Sequence, residues 1–116
     1  MAKEFPRTEP GWALRAYLVL IGMAARRETA TYAQLDQRIQ RGGASLLAKS
    51  LGCVMRWCDK NQLPAITALV VDHTTGLPSS GLNTVEQDKF PAEQQKVFRH
   101  DWISHFPPTI EELAES

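Results

Sequence analysis

The stretch from 44 to 64, ASLLAKSLGCVMRWCDKNQLP, constrains the fold most. Leu47, Leu51, Val54 and Cys58 recur at spacings of four, three and four, the period of one helix face. Lys49, Arg56 and Lys60 fall at i, i+7 and i+11 on another face, with Gly52 between them. The pattern predicts one helix with a buried stripe and a basic stripe, capped by Ser45 and stopped by Pro64. A basic, partly bare face is what a groove-docking helix needs. It is also what a core helix with a solvated outer side looks like. The choice between the two depends on the rest of the chain.

Residues 1–10 carry Pro6 and Pro10 with little periodicity and read as an arm. A first helix follows over 12–26. Ala13, Ala16, Tyr17, Leu20, Met23 and Ala24 form its apolar face, and Gly22 marks a close neighbour. Arg26 and Arg27 suit the negative end of its dipole. Residues 28–30 read as a connector. Thr31 caps a second helix, 32–40, with Tyr32, Leu35 and Ile39 on one side. Arg41-Gly42-Gly43 ends it. Two short helices joined by a glycine turn, the second basic, make a helix-turn-helix pattern.

Residues 65–72, AITALVVD, predict a β-branched strand. A turn at 74–76, a Pro/Gly stretch at 77–82 and a polar stretch at 83–90 follow. Strand and returning loop after a helix-turn-helix give the expected fold class: mainly α with a small β component, winged helix-turn-helix-like. Pro91 opens a last helix over 92–104, with Val97, Phe98, Trp102 and Ile103 apolar. Residues 107–116 read as an acidic tail with a capping-box pattern at Thr109 and Glu112. The expected organisation is an arm (1–10), one domain (11–106) and the tail.

From Thr31 through Leu35, TYAQL, the chain resembles the C-terminal domain of the O6-alkylguanine DNA alkyltransferases and alkyltransferase-like proteins. That family has a TYGQLA-like segment, an AARAVG-like recognition helix, an NP-x-P stretch and the strand PCHRV. Thr31–Leu35, Ala48-Lys49-Ser50-Leu51-Gly52 and Asn61 to Pro64 follow the same order, over roughly 12–105. The resemblance implies a winged-helix domain that binds DNA. Lys49 stands where the family has the Arg that enters the base stack. Tyr32 stands at its Tyr beside the flipped nucleotide's phosphate. PCHRV falls near Ala68-Leu69-Val70-Val71-Asp72, without Cys, His or Arg, so alkyl transfer is not expected. The chain is also similar to a family of small uncharacterised bacterial and phage proteins with a YAELA…YC…NGLPPLTALVVNKxTGLPGxG pattern and a helix ending in DW. Tyr32–Leu35, Trp57-Cys58, Asn61–Val71, Thr75–Pro78, Gly81 and Asp101-Trp102 carry that match, which brings no activity.

Charge sharpens the functional choice. The chain holds 13 Lys and Arg against 13 Asp and Glu, so it is neutral overall. Residues 26–60 have seven basic and three acidic side chains, whereas 72–116 have three basic and eight acidic. A positive middle third attracts phosphate even on a neutral chain. No segment approaches the ~20 apolar residues of a membrane span, and no secretory leader is read. A cytoplasmic protein is expected.

Catalytic signatures are weak. Cys53 and Cys58 lie five residues apart, about 140° around a helix, which predicts buried small hydrophobes rather than a disulfide or zinc pair. Asp72-His73 reads as a surface pair, and His100 and His105 match no metal motif. Glu111-Glu112 reads as solvated, Gly42-Gly43 as a turn, and Trp12, Trp57 and Trp102 as core. No enzyme, cofactor or metal site is expected. Two functions remain. One is a non-enzymatic module binding DNA weakly through the helix near 45–61, using Tyr32, Arg38, Arg41, Lys49, Arg56 and Lys60. The other is a winged-helix protein–protein interaction module of phage, plasmid or defence biology.

Overall fold

The structure is a computed structural model that describes residues 4–72 and 89–116. Its described part is mainly helical, in the order α1 (Glu9–Ala25), β1 (Ala30–Thr31), α2 (Tyr32–Ile39), α3 (Ala44–Lys60), β2 (Val70–Val71), α4 (Phe90–Arg99) and α5 (Ile110–Glu115). The expected turn at 74–76, loop at 77–82 and most of the polar stretch at 83–90 lie outside the described residues. Among the described residues, no helix is long and apolar enough to cross a membrane.

α1 starts three residues earlier than the sequence predicts. Thr8 is its cap, its Oγ1 accepting the Gly11 N–H at 3.3 Å, and Pro10 sits in the first turn where its missing N–H costs nothing. The chain before α1 folds back onto Gly11. A Cβ there would lie 2.0 Å from the Pro6 carbonyl oxygen, so only glycine fits. All six predicted core residues of α1, Ala13 to Ala24, are buried.

α1 packs mainly across α3. Leu47, Leu51, Val54 and Cys58 are all buried, as their spacing predicts, and Trp57 joins them. Tyr17 ties the two helices by meeting Trp57 edge-on at 5.6 Å between ring centroids. It meets Trp102 in the same way at 6.3 Å, an arrangement aromatic quadrupoles favour. Burial pushes the Tyr17 phenol up to about 12, with a further push from Cys58. α3 ends at Lys60, short of the predicted stop at Pro64. Gln62 turns left-handed, and the Leu63 N–H donates back to the Cys58 carbonyl at 2.9 Å.

Ser45 is not the cap of α3. Gly43 occupies the cap position with φ 124°, and no side chain caps it directly. The α2–α3 turn is held instead by Asp36. Its Oδ1 accepts the N–H groups of Arg41 (3.0 Å) and Gly42 (3.2 Å), and its Oδ2 accepts that of Gly43 (3.0 Å). α2 itself carries a full capping box between Thr31 and Gln34.

The predicted strand over 65–72 is short. Ile66–Leu69 forms one 3-10 turn, and only Val70–Val71 is strand. Side chains of α4 meet the backbone here: Glu93 Oε2 accepts the Ala65 N–H and Gln94 Nε2 donates to the Ala68 carbonyl, each at 2.8 Å. These bonds satisfy groups that a neighbouring strand would otherwise have to pair. β2 runs parallel to β1, with Ala30 opposite Val70 and Thr31 opposite Val71. The connector read at 28–30 therefore contributes to a strand. Because Thr31 is both strand end and helix cap, the sheet fixes where α2 begins.

α4 also stops early, at Arg99 rather than 104. His100 is extended, and buried Trp102 turns back so that its indole N–H donates to the Val97 carbonyl at 2.9 Å. The acidic end, expected as a tail, forms the packed helix α5. Its Thr109–Glu112 capping box is complete and Leu113 is fully buried in the core.

Candidate nucleic-acid interface

Lys49, Arg56 and Lys60 are all exposed on α3, as their spacing requires, but their surroundings differ. Lys49 has no ion pair among the described residues. The Arg56 Nε donates to the Ser116 carbonyl at 3.0 Å, and its guanidinium reaches the Cys53 sulfur at 3.6 Å. Gly52 makes room for that guanidinium, since a Cβ there would lie 3.1 Å from Nη1. Lys60 borders a small recess shared with Glu112, Glu115 and Ser116. Glu112 Oε2 accepts the Trp57 indole N–H at 3.1 Å. That bond is the main cause holding the Glu112 carboxyl below its usual value, and the Lys60 charge adds to it. The acidic helix thus lies along the C-terminal half of the basic stripe.

Arg41 and Arg38 are engaged elsewhere. Arg41 is a clamp between α1 and α3. Its Nη2 meets Glu9 Oε2 at 2.8 Å, its Nε donates to Ser50 Oγ at 3.2 Å, and its guanidinium lies over the Trp12 ring. Ser50 Oγ also donates to Glu9. Partial burial alone would raise the Glu9 carboxyl, but the bonds from Ser50 and Arg41 outweigh it and hold the group below its ordinary value. Arg38 lies 3.9 Å from Glu28, which also takes Arg26 at 3.0 Å.

Tyr32, the first residue of α2, lines a recess of about 290 Å³ together with Thr31, Ala33, Ala44 and Asp72. Its hydroxyl is buried and has no hydrogen-bond partner among the described residues. Ala44 is the first residue of α3, so the recess touches the start of both helices. The first three N–H groups of a helix have no intrahelical acceptor, and at α3 no side chain fills that role inside the helix. On the outer face, Ser45 and Lys49 are exposed one turn apart. The start of α3 therefore offers free amide donors, a serine hydroxyl and an unpaired ammonium, with Asp72 as the opposing charge at the recess.

The sequence does not reveal the roles of Glu9 and Asp36. Glu9 meets Arg41 across 32 residues of chain, a separation no local pattern encodes. Asp36 left one trace, an acid placed shortly before a glycine pair. Both cysteines are free and buried, as expected. Desolvation raises the thiol of Cys58 to about 12. His100 and His105, five residues apart and matching no metal motif, come together with their Nε2 atoms 2.9 Å apart.

No protein-family model, no curated protein and no solved structure matches the chain.

Proposed function

We propose that the chain is a non-enzymatic nucleic-acid-binding module of the winged-helix type, with a layout like that of the alkyltransferase C-terminal domain. It binds DNA weakly, through the first half of α3 and the start of α2. One observation carries this narrower reading. Lys49 makes no ion pair among the described residues, Glu9 acting on it only beyond ion-pair distance, while Arg41 is paired with Glu9, Arg56 is hydrogen-bonded to Ser116 and Lys60 lies beside Glu112 and Glu115. Helix N-termini attract phosphate through amides and dipole together. Tyr32 lines the recess at the same end, with its hydroxyl buried, and Arg38 can exchange its long contact with Glu28 for a phosphate.

Fluorescence anisotropy on duplex DNA against salt tests the reading. Each phosphate neutralised contributes about −0.9 to the slope of log K against log salt, so one to three contacts give about −1 to −3. Lys49→Ala should weaken binding and lower the slope magnitude by about 0.9. Arg56→Ala and Lys60→Ala should each change affinity less than Lys49→Ala does, since Arg56 is hydrogen-bonded to Ser116 and Lys60 lies in the field of Glu112. Asp72→Asn should strengthen binding. Absence of binding at ~50 mM salt, where non-specific electrostatic binding is strong, rejects the proposal in favour of a protein–protein module.

A further inference from the structure

Between α4 and α5 the chain turns over residues 100–106, and two histidines close that turn. His100 follows α4 directly, its backbone N–H bonded to the Lys96 and Val97 carbonyls. His105 returns to it, so that the Nε2 atoms lie 2.9 Å apart and the ring centroids 5.2 Å apart. Both rings pack on Trp102, at 4.4 and 6.0 Å, and His105 also meets Trp57 at 6.5 Å. The turn carries the bare side chains of Ile103 and Phe106.

Two ring nitrogens at 2.9 Å make a hydrogen bond only when one bears a proton and the other does not. The second nitrogen of His105 decides which. Its Nδ1 lies 3.2 Å from the Phe106 carbonyl oxygen, which can only accept. Nδ1 therefore bears the proton, and the Nε2 of neutral His105 is a bare lone pair. The proton between the rings belongs to His100 Nε2. With both rings charged no acceptor is left, and two cations face each other at bonding distance. We propose that this bond is a proton-operated latch on the 100–106 turn, closed while one ring is neutral and open once both are charged. The His105 end is the one released. The His100 end stays held by the α4 carbonyls and by the Trp102 bond to Val97.

The groups around the pair set the pH window. Burial, then the His105 charge, hold His100 below its ordinary 6.5 against the opposing pull of Asp101. Arg99, one residue before His100, is the nearest cation along the chain. From α5, Glu112 lines the recess that holds His105, and its carboxyl lies below 4.5. α3 brings the uncharged Trp57 and Asn61 to that recess. α1 brings apolar residues and glycine to the His100 side, and the Tyr17 phenol, pushed up to about 12, stays neutral. The latch therefore opens below pH 6.5, before Glu112 takes a proton.

The inference is independent of DNA binding and is tested without DNA, by 15N NMR on the full chain from pH 8 to pH ~4.5. At pH ~8 His105 should show the Nδ1–H tautomer and His100 the Nε2–H one. Falling pH should protonate the pair in two steps at least ~1 unit apart, as interacting sites do. The second step should lower the backbone heteronuclear NOE of residues 103–106 and leave α1 and α3 unchanged. His105→Phe should free the same residues already at pH ~8, and His100 should then titrate higher, because the opposing charge is gone. Rings that titrate independently overturn the proposal, as do matching Nε2–H tautomers at high pH. So does a turn that stays ordered both at low pH and in His105→Phe, or one that loosens only together with α1.

Discussion

Replacing Asp36 by alanine tests how the α2–α3 turn presents the start of α3. The carboxylate accepts three consecutive backbone N–H groups, at 3.0, 3.2 and 3.0 Å, in the turn just before α3, which has no side-chain cap of its own. A single cap residue replaced by alanine costs about 0.5–2 kcal/mol, typically ~1. Three bonds would triple that only if all three donors stayed dry. Gly42 is exposed and its N–H can turn to water, while those of Arg41 and Gly43 are part-buried. A loss of about 1.5–3 kcal/mol follows, a large share of the ~5–15 kcal/mol of a typical domain. Asp36→Asn keeps an acceptor for Arg41 and Gly42 but turns an NH2 group toward the Gly43 N–H, so it should cost roughly half as much. Urea unfolding followed by circular dichroism at neutral pH measures both. A loss below ~0.5 kcal/mol for the alanine variant refutes the argument, because it means the turn holds without the carboxylate.

Leu51 is fully buried, so Leu51→Ala should cost about 2–5 kcal/mol in the same melts. Acid should destabilise the protein in two ranges. Burial, with help from the His105 charge, holds His100 below its ordinary 6.5; the unfolded chain takes that proton first, so this stability is present above pH 6.5 and lost as pH falls through the folded value. The carboxyls of Glu9 and Glu112 lie below 4.5 in the fold, so their contribution is present above that pH and lost as pH falls through their folded values. Urea midpoints measured from pH 8 to 3 check this, and His100→Phe should flatten the upper range only. Incubation with O6-alkylguanine DNA should leave no adduct by mass spectrometry, because both cysteines are buried and burial raises both thiols.

Local signals explain what the sequence makes legible. The six core residues of α1 and the four of α3 follow helical periods, and the Thr31 and Thr109 capping boxes are local patterns that form in full. Periodicity is silent where a segment is buried on all sides. Ile66 to Val71 are all buried, and a continuous apolar run fits a strand or a tight helix equally well. There the long-range partners, Glu93 and Gln94 on α4, decide between the two. The end of α4 is set by the same kind of contact, the Trp102 indole returning to Val97. The apolar residues at 102 and 103 continue the helical spacing although the backbone has left the helix. Trp102 is buried and Ile103 is bare, so their similar hydrophobicity conceals opposite environments.

Charge is the property that the linear reading distributes least faithfully. Counting along the chain separates a positive middle third from an acidic last third, as though the two occupied different places. Leu113, buried in the core, anchors α5 to the body of the fold. The Glu112–Trp57 bond and the Ser116–Arg56 bond then set acidic and carbonyl groups beside the end of α3. One apolar anchor thus determines where the three carboxylates of α5 lie. An exposed charge is screened beyond a Debye length of ~8 Å in physiological salt, so near neighbours, and not the net charge of a segment, fix the local field. By that criterion the three cations of the α3 stripe are not equivalent. Arg56 is bonded to Ser116, Lys60 sits beside the carboxylates of α5, and Lys49 lies nearer the N-terminal end of α3, with Glu9 as its acidic neighbour.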